Sequence, residues 1–93
     1  MSLKKFVIEG GIPNVGGLSS EERAGASERS NEALCQIGAK EIQGVQSYVA
    51  GDKIFCTYLA NDKEAIEKHA ELSGFPASKT TEIVTVIDPT TAG

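Results

Sequence analysis

The stretch Ile42–Ala60, "IQGVQSYVAGDKIFCTYLA", holds two runs rich in strand formers, Ile42–Ala50 and Lys53–Ala60, separated only by Gly51 and Asp52. So short a gap, filled by glycine and aspartate, joins two strands as a hairpin. The rest of the chain arranges itself around it. Upstream, "SSEERAGASERSNEALCQIG", Ser19–Gly38, reads as a helix. Ser19 with Glu22 fits a capping box, and Gly38 fits the C′ position. Before it, "GGIPNVGGLS" carries four glycines and a proline in ten residues and reads as a connecting loop. Earlier still, "KKFVIEG", Lys4–Gly10, alternates around Phe6 and Ile8 and reads as a strand. Downstream, "NDKEAIEKHAELSG", Asn61–Gly74, reads as a second helix, with Asn61 and Glu64 as its capping pair and Gly74 as its stop. "FPASK" is a short loop, and "TTEIVTVID", Thr80–Asp88, is a fourth strand ended by Pro89. The tail Thr90–Gly93 is expected to fray unless it docks.

The order βαββαβ predicts an α+β, ferredoxin-like fold: a four-stranded antiparallel sheet with both helices on one face. The length of 93 residues argues for a single domain over residues 1–93. The other sheet face is left bare. Yet both parities of the later strands are apolar: Phe55 and Leu59 against Ile54, Cys56 and Tyr58, and Ile83 and Ile87 against Val84 and Val86. A sheet apolar on both faces needs cover on both. The simplest cover is a second copy, sheet to sheet, which makes a homodimeric α/β barrel.

Apolar residues are 40% and charged residues 24%, an ordinary globular composition. A net charge of −4 leaves no basic stripe to neutralise phosphates, so nucleic acid is excluded as a partner. No apolar run approaches the roughly 20 residues of a membrane span. No signal-peptide h-region opens the chain, and Met1-Ser2-Leu3 reads in part as a cloning remnant. The two cysteines, Cys35 and Cys56, lack C-x-x-C spacing. They predict free thiols in a reducing cytoplasm rather than a disulfide framework.

The only histidine, His69, lies in the second helix. At about 100° per residue, with Ala65 at zero, Leu72 falls near ~340°, His69 near ~40°, Ser73 near ~80°, Ile66 near ~100° and Ala70 near ~140°. Lys63, Glu64, Glu67, Lys68 and Glu71 fall on the opposite side. His69 therefore faces inward, where leucine is the ordinary choice. Two readings stand. One is a buried neutral imidazole hydrogen-bonded to a backbone carbonyl or to a Tyr or Ser hydroxyl. The other is a metal ligand or proton-transfer group. An unpartnered buried imidazole costs roughly 1–3 kcal/mol, so either reading demands a partner.

On the first helix, Arg23, Ser27, Ser30 and Asn31 fall within about 60° of Leu34. So polar a face means either close helix packing or a polar pocket between helix and sheet. Cys56 stands near Tyr48 and Tyr58 and reads either as a small buried hydrophobe or as a soft ligand. Thiolate with imidazole suits nickel, zinc or copper. Convergence of His69, Cys56 and Tyr48 into one metal site depends on the hairpin register, since a one-residue slip reverses every side chain. Two copies would double a sparse ligand set, which favours a site at the dimer interface over one within a chain. Cys35 reads as packing, because a helix C-terminus disfavours a thiolate. The glycine-rich loop lacks the G-K-[ST] ending of a P-loop, and Glu21 and Glu22 would repel a phosphate there. One histidine cannot make H-x-x-x-H, and no Ser-His-Asp set is present. Glu9, Glu82 and Asp88 read as solvated acids, with Glu9 or Glu82 in reach of a pocket.

The segments "LSSEER…SN…L", "VQSYVAGDKIFCTYLANDKEAIEKHAELSGFPASKTTEI" and "VIDPTTA" resemble a bacterial family of small domains of unknown function that includes a nickel-binding protein. The likeness spans most of the chain and is densest from Ser47 to Asp88. It implies a dimeric ferredoxin-like α/β barrel and metal binding, with His69, Cys56 and Tyr48 as the positions that carry over. The expected function is therefore transition-metal binding, with nickel or another divalent ion as the cofactor, by a cytoplasmic homodimer without an assigned catalytic residue. Two rivals remain: a cofactor-independent monooxygenase-like or lyase-like barrel enzyme, argued from fold analogy alone, and a non-catalytic module that binds a small ligand.

Overall fold

The computed structural model describes residues 3–92. The elements run β1 (Lys4–Gly11), α1 (Ser20–Ile37), β2 (Ile42–Val49), β3 (Lys53–Ala60), α2 (Lys63–Ser73) and β4 (Lys79–Ile83), with short 3-10 turns at Val15–Gly17 and Pro89–Ala92. The sheet is antiparallel in the order β2-β3-β1-β4. This is the ferredoxin-like α+β arrangement that the hairpin and its flanks predict.

The hairpin closes as expected across Gly51–Asp52, where the Ala50 amide donates to the Lys53 carbonyl at 2.9 Å. Nearer its open end, a bulge falls between Gly44 and Gln46, and Val45 is the extra residue. The bulge shifts the phase of β2 by one. Ile42, opposite Ala60, thereby turns to the helix side and is 1% exposed. The core is built there from Phe6 and Ile8 of β1, Cys56, Tyr58 and Ala60 of β3, Ile42, and Ala65 and Ile66 of α2. Each large apolar side chain so buried contributes about 1.5–3 kcal/mol.

Both helix starts show what local chemistry selects. The Ser19–Glu22 capping box forms in full. At α2 the cap is Asp62 rather than Asn61: the Asp62 carboxylate accepts from the Ala65 amide at 3.0 Å. Asn61 instead donates to the Lys40 carbonyl and to Glu41 Oε2, tying the start of α2 to the α1–β2 connection. The αL residue Gly74 (φ 79) ends α2 as expected. The buried stripe of α2 is Ala65, Ile66, His69 and Ser73; Leu72 at its margin is 44% exposed.

Two expectations near the C-terminus are corrected. β4 stops at Ile83 instead of reaching Asp88. Ile83 pairs with Lys5, and β1 begins only one residue earlier, so among the described residues the chain beyond finds no further strand pairing. Val84 is consequently 95% exposed and Ile87 75%. Thr90–Ala92, expected to fray, instead form part of a turn closed on Asp88. The Thr90 amide donates to Asp88 Oδ1, and the Asp88 amide donates to Thr91 Oγ1, both at 2.8 Å. The Thr90 hydroxyl also donates to Asp88 Oδ1, and it and the Thr90 amide hold the Asp88 carboxyl below its ordinary value. Gly93, and Met1 and Ser2 of the suspected remnant, lie outside the described residues.

The glycine-rich loop is strapped to the hairpin tip. The Asn14 amide donates to Asp52 Oδ1, and the Gly16 amide to the Gly51 carbonyl. A Cβ at Gly16 would lie 2.6 Å from the Ala50 carbonyl oxygen, so this glycine serves a close backbone approach. On the face of the sheet away from the helices, Val7, Phe55, Leu59 and Ile83 are half-buried and Tyr48 is 58% exposed. Among the described residues no helix is long and apolar enough to cross a membrane.

Candidate functional site

Four side chains from three elements meet beneath α1: Ser30 of α1, Cys56 and Tyr58 of β3, and His69 of α2. His69 is 3% exposed. Its Nε2 shares a hydrogen bond with Ser30 Oγ at 3.1 Å. Its ring packs on that of Tyr58, with centroids 4.9 Å apart and planes tilted by 54°. Burial pushes the His69 pKa below its ordinary value, and the Ser30 hydrogen bond opposes that only in part. Burial pushes the Tyr58 phenol well above its ordinary value; the neighbouring Cys56 adds to this, and Ser30 works against it. Near neutral pH the cluster therefore presents a neutral imidazole and an intact phenol beside the Ser30 hydroxyl.

Ser30 and Tyr58 also line an open cleft of about 970 Å³ between α1 and the sheet. Arg23, Ser27, Asn31 and Leu34 line it too, so the unusually polar face of α1 borders a pocket rather than a tight seam. The sheet side helps to hold it open. A Cβ at Gly44 would sit 3.1 Å from Leu34 Cδ1 and 3.7 Å from Tyr58 Cε1, so the absent side chain gives Leu34 its place over Tyr58.

Two of the three residues singled out in the sequence, His69 and Cys56, lie on the helix side of the sheet. Cys56, opposite Ile8 and Ser47, is 6% exposed on the helix side, the side that His69 faces. Tyr48 pairs with Phe55 and projects from the opposite side, where its hydroxyl is engaged by Gln46 Nε2. Tyr58 takes the aromatic place beside His69. Strand alternation puts Tyr58 on the same side as Cys56, and helical spacing puts Ser30 on the polar face of α1. Both signals were present in the sequence; what joins them is tertiary. Cys35, expected to pack, is exposed, and both thiols are free. Glu9 pairs with Lys53 at 3.7 Å, and Glu82 is exposed. Among the described residues no group of three or more His, Cys, Asp or Glu side chains is placed to hold a metal ion.

The family model described as nickel responsive protein SCO4226-like matches residues 6–83. The chain belongs to this family. The matched span runs from β1 to the last residue of β4 and includes Ser30, Cys56, Tyr58 and His69. Among solved structures, the chain is similar to SCO4226 from Streptomyces coelicolor A3(2), with a TM-score of 0.71 and 16% identity, covering 89% of this chain and 99% of that one. At that identity the likeness shows the fold alone. No curated protein matches the chain. The family description speaks of nickel responsiveness, in keeping with the resemblance drawn from the residues.

Proposed function

We propose that this protein binds a divalent transition metal, nickel foremost, as a cytoplasmic homodimer, with His69 and Cys56 as its nitrogen and sulfur donors. The observation that carries the reading is a neutral imidazole and a buried thiol on one side of the sheet, in a member of a nickel responsive family. Metals bind the deprotonated donor, and an imidazole held neutral by burial needs no proton removed near pH 7. Thiolate and imidazole both suit nickel. The donor set within one chain fits only in part. Tyr58 keeps its phenolic proton and serves as a hydrogen-bond partner, and Tyr48 is on the wrong side of the sheet. The remaining coordination positions then fall to water. A second copy, sheet to sheet, would cover the apolar outer side around Phe55 and Leu59, away from these donors.

The test is elemental analysis of protein purified without a histidine tag, followed by calorimetric titration with nickel and zinc. The wild type should take up one of these ions saturably, while His69→Leu and Cys56→Ser should each bind at least about tenfold more weakly. Because burial depresses the His69 pKa, proton competition by this ligand should set in only at pH values below 6.5, the ordinary imidazole value. Equal uptake by all three proteins, or none by the wild type, rejects the reading.

A further inference from the structure

We propose that the cleft between α1 and the sheet binds a small organic acid: an anionic group on an apolar body, with an uncharged polar atom at the far end. The inference is independent of the metal reading and rests on the distribution of charge within the cleft. Its volume, about 970 Å³, matches the upper end of small-molecule sites. Its apolar lining includes Val15, Leu34, Ile54 and Phe75. Its deeper polar groups are the Ser30 and Tyr58 hydroxyls, and buried His69 hydrogen-bonds the Ser30 hydroxyl from behind.

The full charges that line the cleft are Arg23, Arg29 and Glu22. Glu22 is committed to the helix cap, where its Oε1 accepts from the Ser19 amide at 2.9 Å. Two guanidinium groups against one carboxylate leave the lining with one positive charge in excess, on a chain whose net charge is −4. Arg23 Nη1 donates to the Leu18 carbonyl at 2.7 Å, which fixes the group while leaving its other N–H donors free. A guanidinium so held matches a carboxylate. A ligand in the cleft meets the positive charge of the two guanidinium groups, apolar surface along its body, and the Ser30 and Tyr58 hydroxyls deeper in.

The probes are 4-hydroxybenzoate and its uncharged analogue 4-hydroxybenzyl alcohol, added to ¹⁵N-labelled protein in the presence of a chelator. Shifts should be saturable with 4-hydroxybenzoate and centred on Ser27, Ser30, Asn31 and Tyr58. The uncharged analogue should bind about tenfold more weakly, and so should the Arg23→Gln, Arg29→Gln double variant. Ser27→Phe, which fills the cleft from an exposed position of α1, should abolish binding while the spectrum stays dispersed. Absence of saturable shifts, shifts centred elsewhere, equal affinity for the uncharged analogue, or undiminished binding by either folded variant overturns the proposal. The chelator keeps this outcome separate from the nickel titration, so either reading can fail alone.

Discussion

Replacing His69 with leucine tests the account of the buried cluster through its pH dependence. At pH 7.5 the variant loses the hydrogen bond to Ser30, worth about 0.5–1.5 kcal/mol, and the tilted contact with Tyr58, worth a similar ~0.5–1.5 kcal/mol. Ser30 is only half-buried and lines the cleft, so water replaces its lost partner. Leucine in a site 3% exposed returns about 1–2 kcal/mol of apolar burial. The net expectation is a destabilisation centred on about 0.5 kcal/mol. The pH dependence is the sharper signature. The folded-state pKa of His69 is depressed, so below 6.5 the unfolded chain takes up a proton that the folded chain resists. Stability from this group is fully present above 6.5 and is lost as pH falls through the window between the unfolded and folded values. For one proton the loss reaches about 1.4 kcal/mol per pH unit at its steepest. His69 is the only histidine, and the carboxylates are common to both proteins, so the difference curve isolates it. Urea unfolding followed by far-UV circular dichroism at pH 7.5, 6.5 and 5.5, at one chain concentration, should show the wild-type advantage shrinking as pH falls. A difference that stays constant or grows would refute the buried neutral imidazole.

Asp62→Ala should cost about 1 kcal/mol of stability in urea melts, because its carboxylate caps α2; a cost confined to Asn61→Ala would contradict the observed cap. Gly16→Ala should cost about 1–3 kcal/mol, since the new methyl would press on the Ala50 carbonyl; an unchanged melt would mean the loop is not strapped to the hairpin tip. Titration of the native protein with a thiol reagent should detect one fast group, Cys35, and the second, Cys56, only on unfolding; two fast groups would place Cys56 outside the core. Light scattering at micromolar concentration should report twice the chain mass of 9.8 kDa, and a well-folded monomer there would reject the sheet-to-sheet dimer.

Much of this architecture is local in origin. The two strand-forming runs around Gly51–Asp52, the Ser19 capping box and the αL glycine at position 74 each act over a few residues, so sequence alone determined the order βαββαβ. Helical periodicity likewise determined that His69 faces inward and that α1 turns a polar side toward the sheet. What it could not determine is how one element's phase meets another's. The extra residue Val45 reverses the alternation of β2, and no local rule requires that bulge. β4 ends within one residue of the start of β1, although the propensity of "VTVID" continues. The candidate site divides the same way. Alternation puts Cys56 and Tyr58 on one side of β3, but only the β2–β3 register puts Tyr48 on the other, and only the packing of both helices on the sheet sets Ser30 against His69. Side-chain direction along a strand is a local property; the partner it meets depends on contacts between residues far apart in the chain.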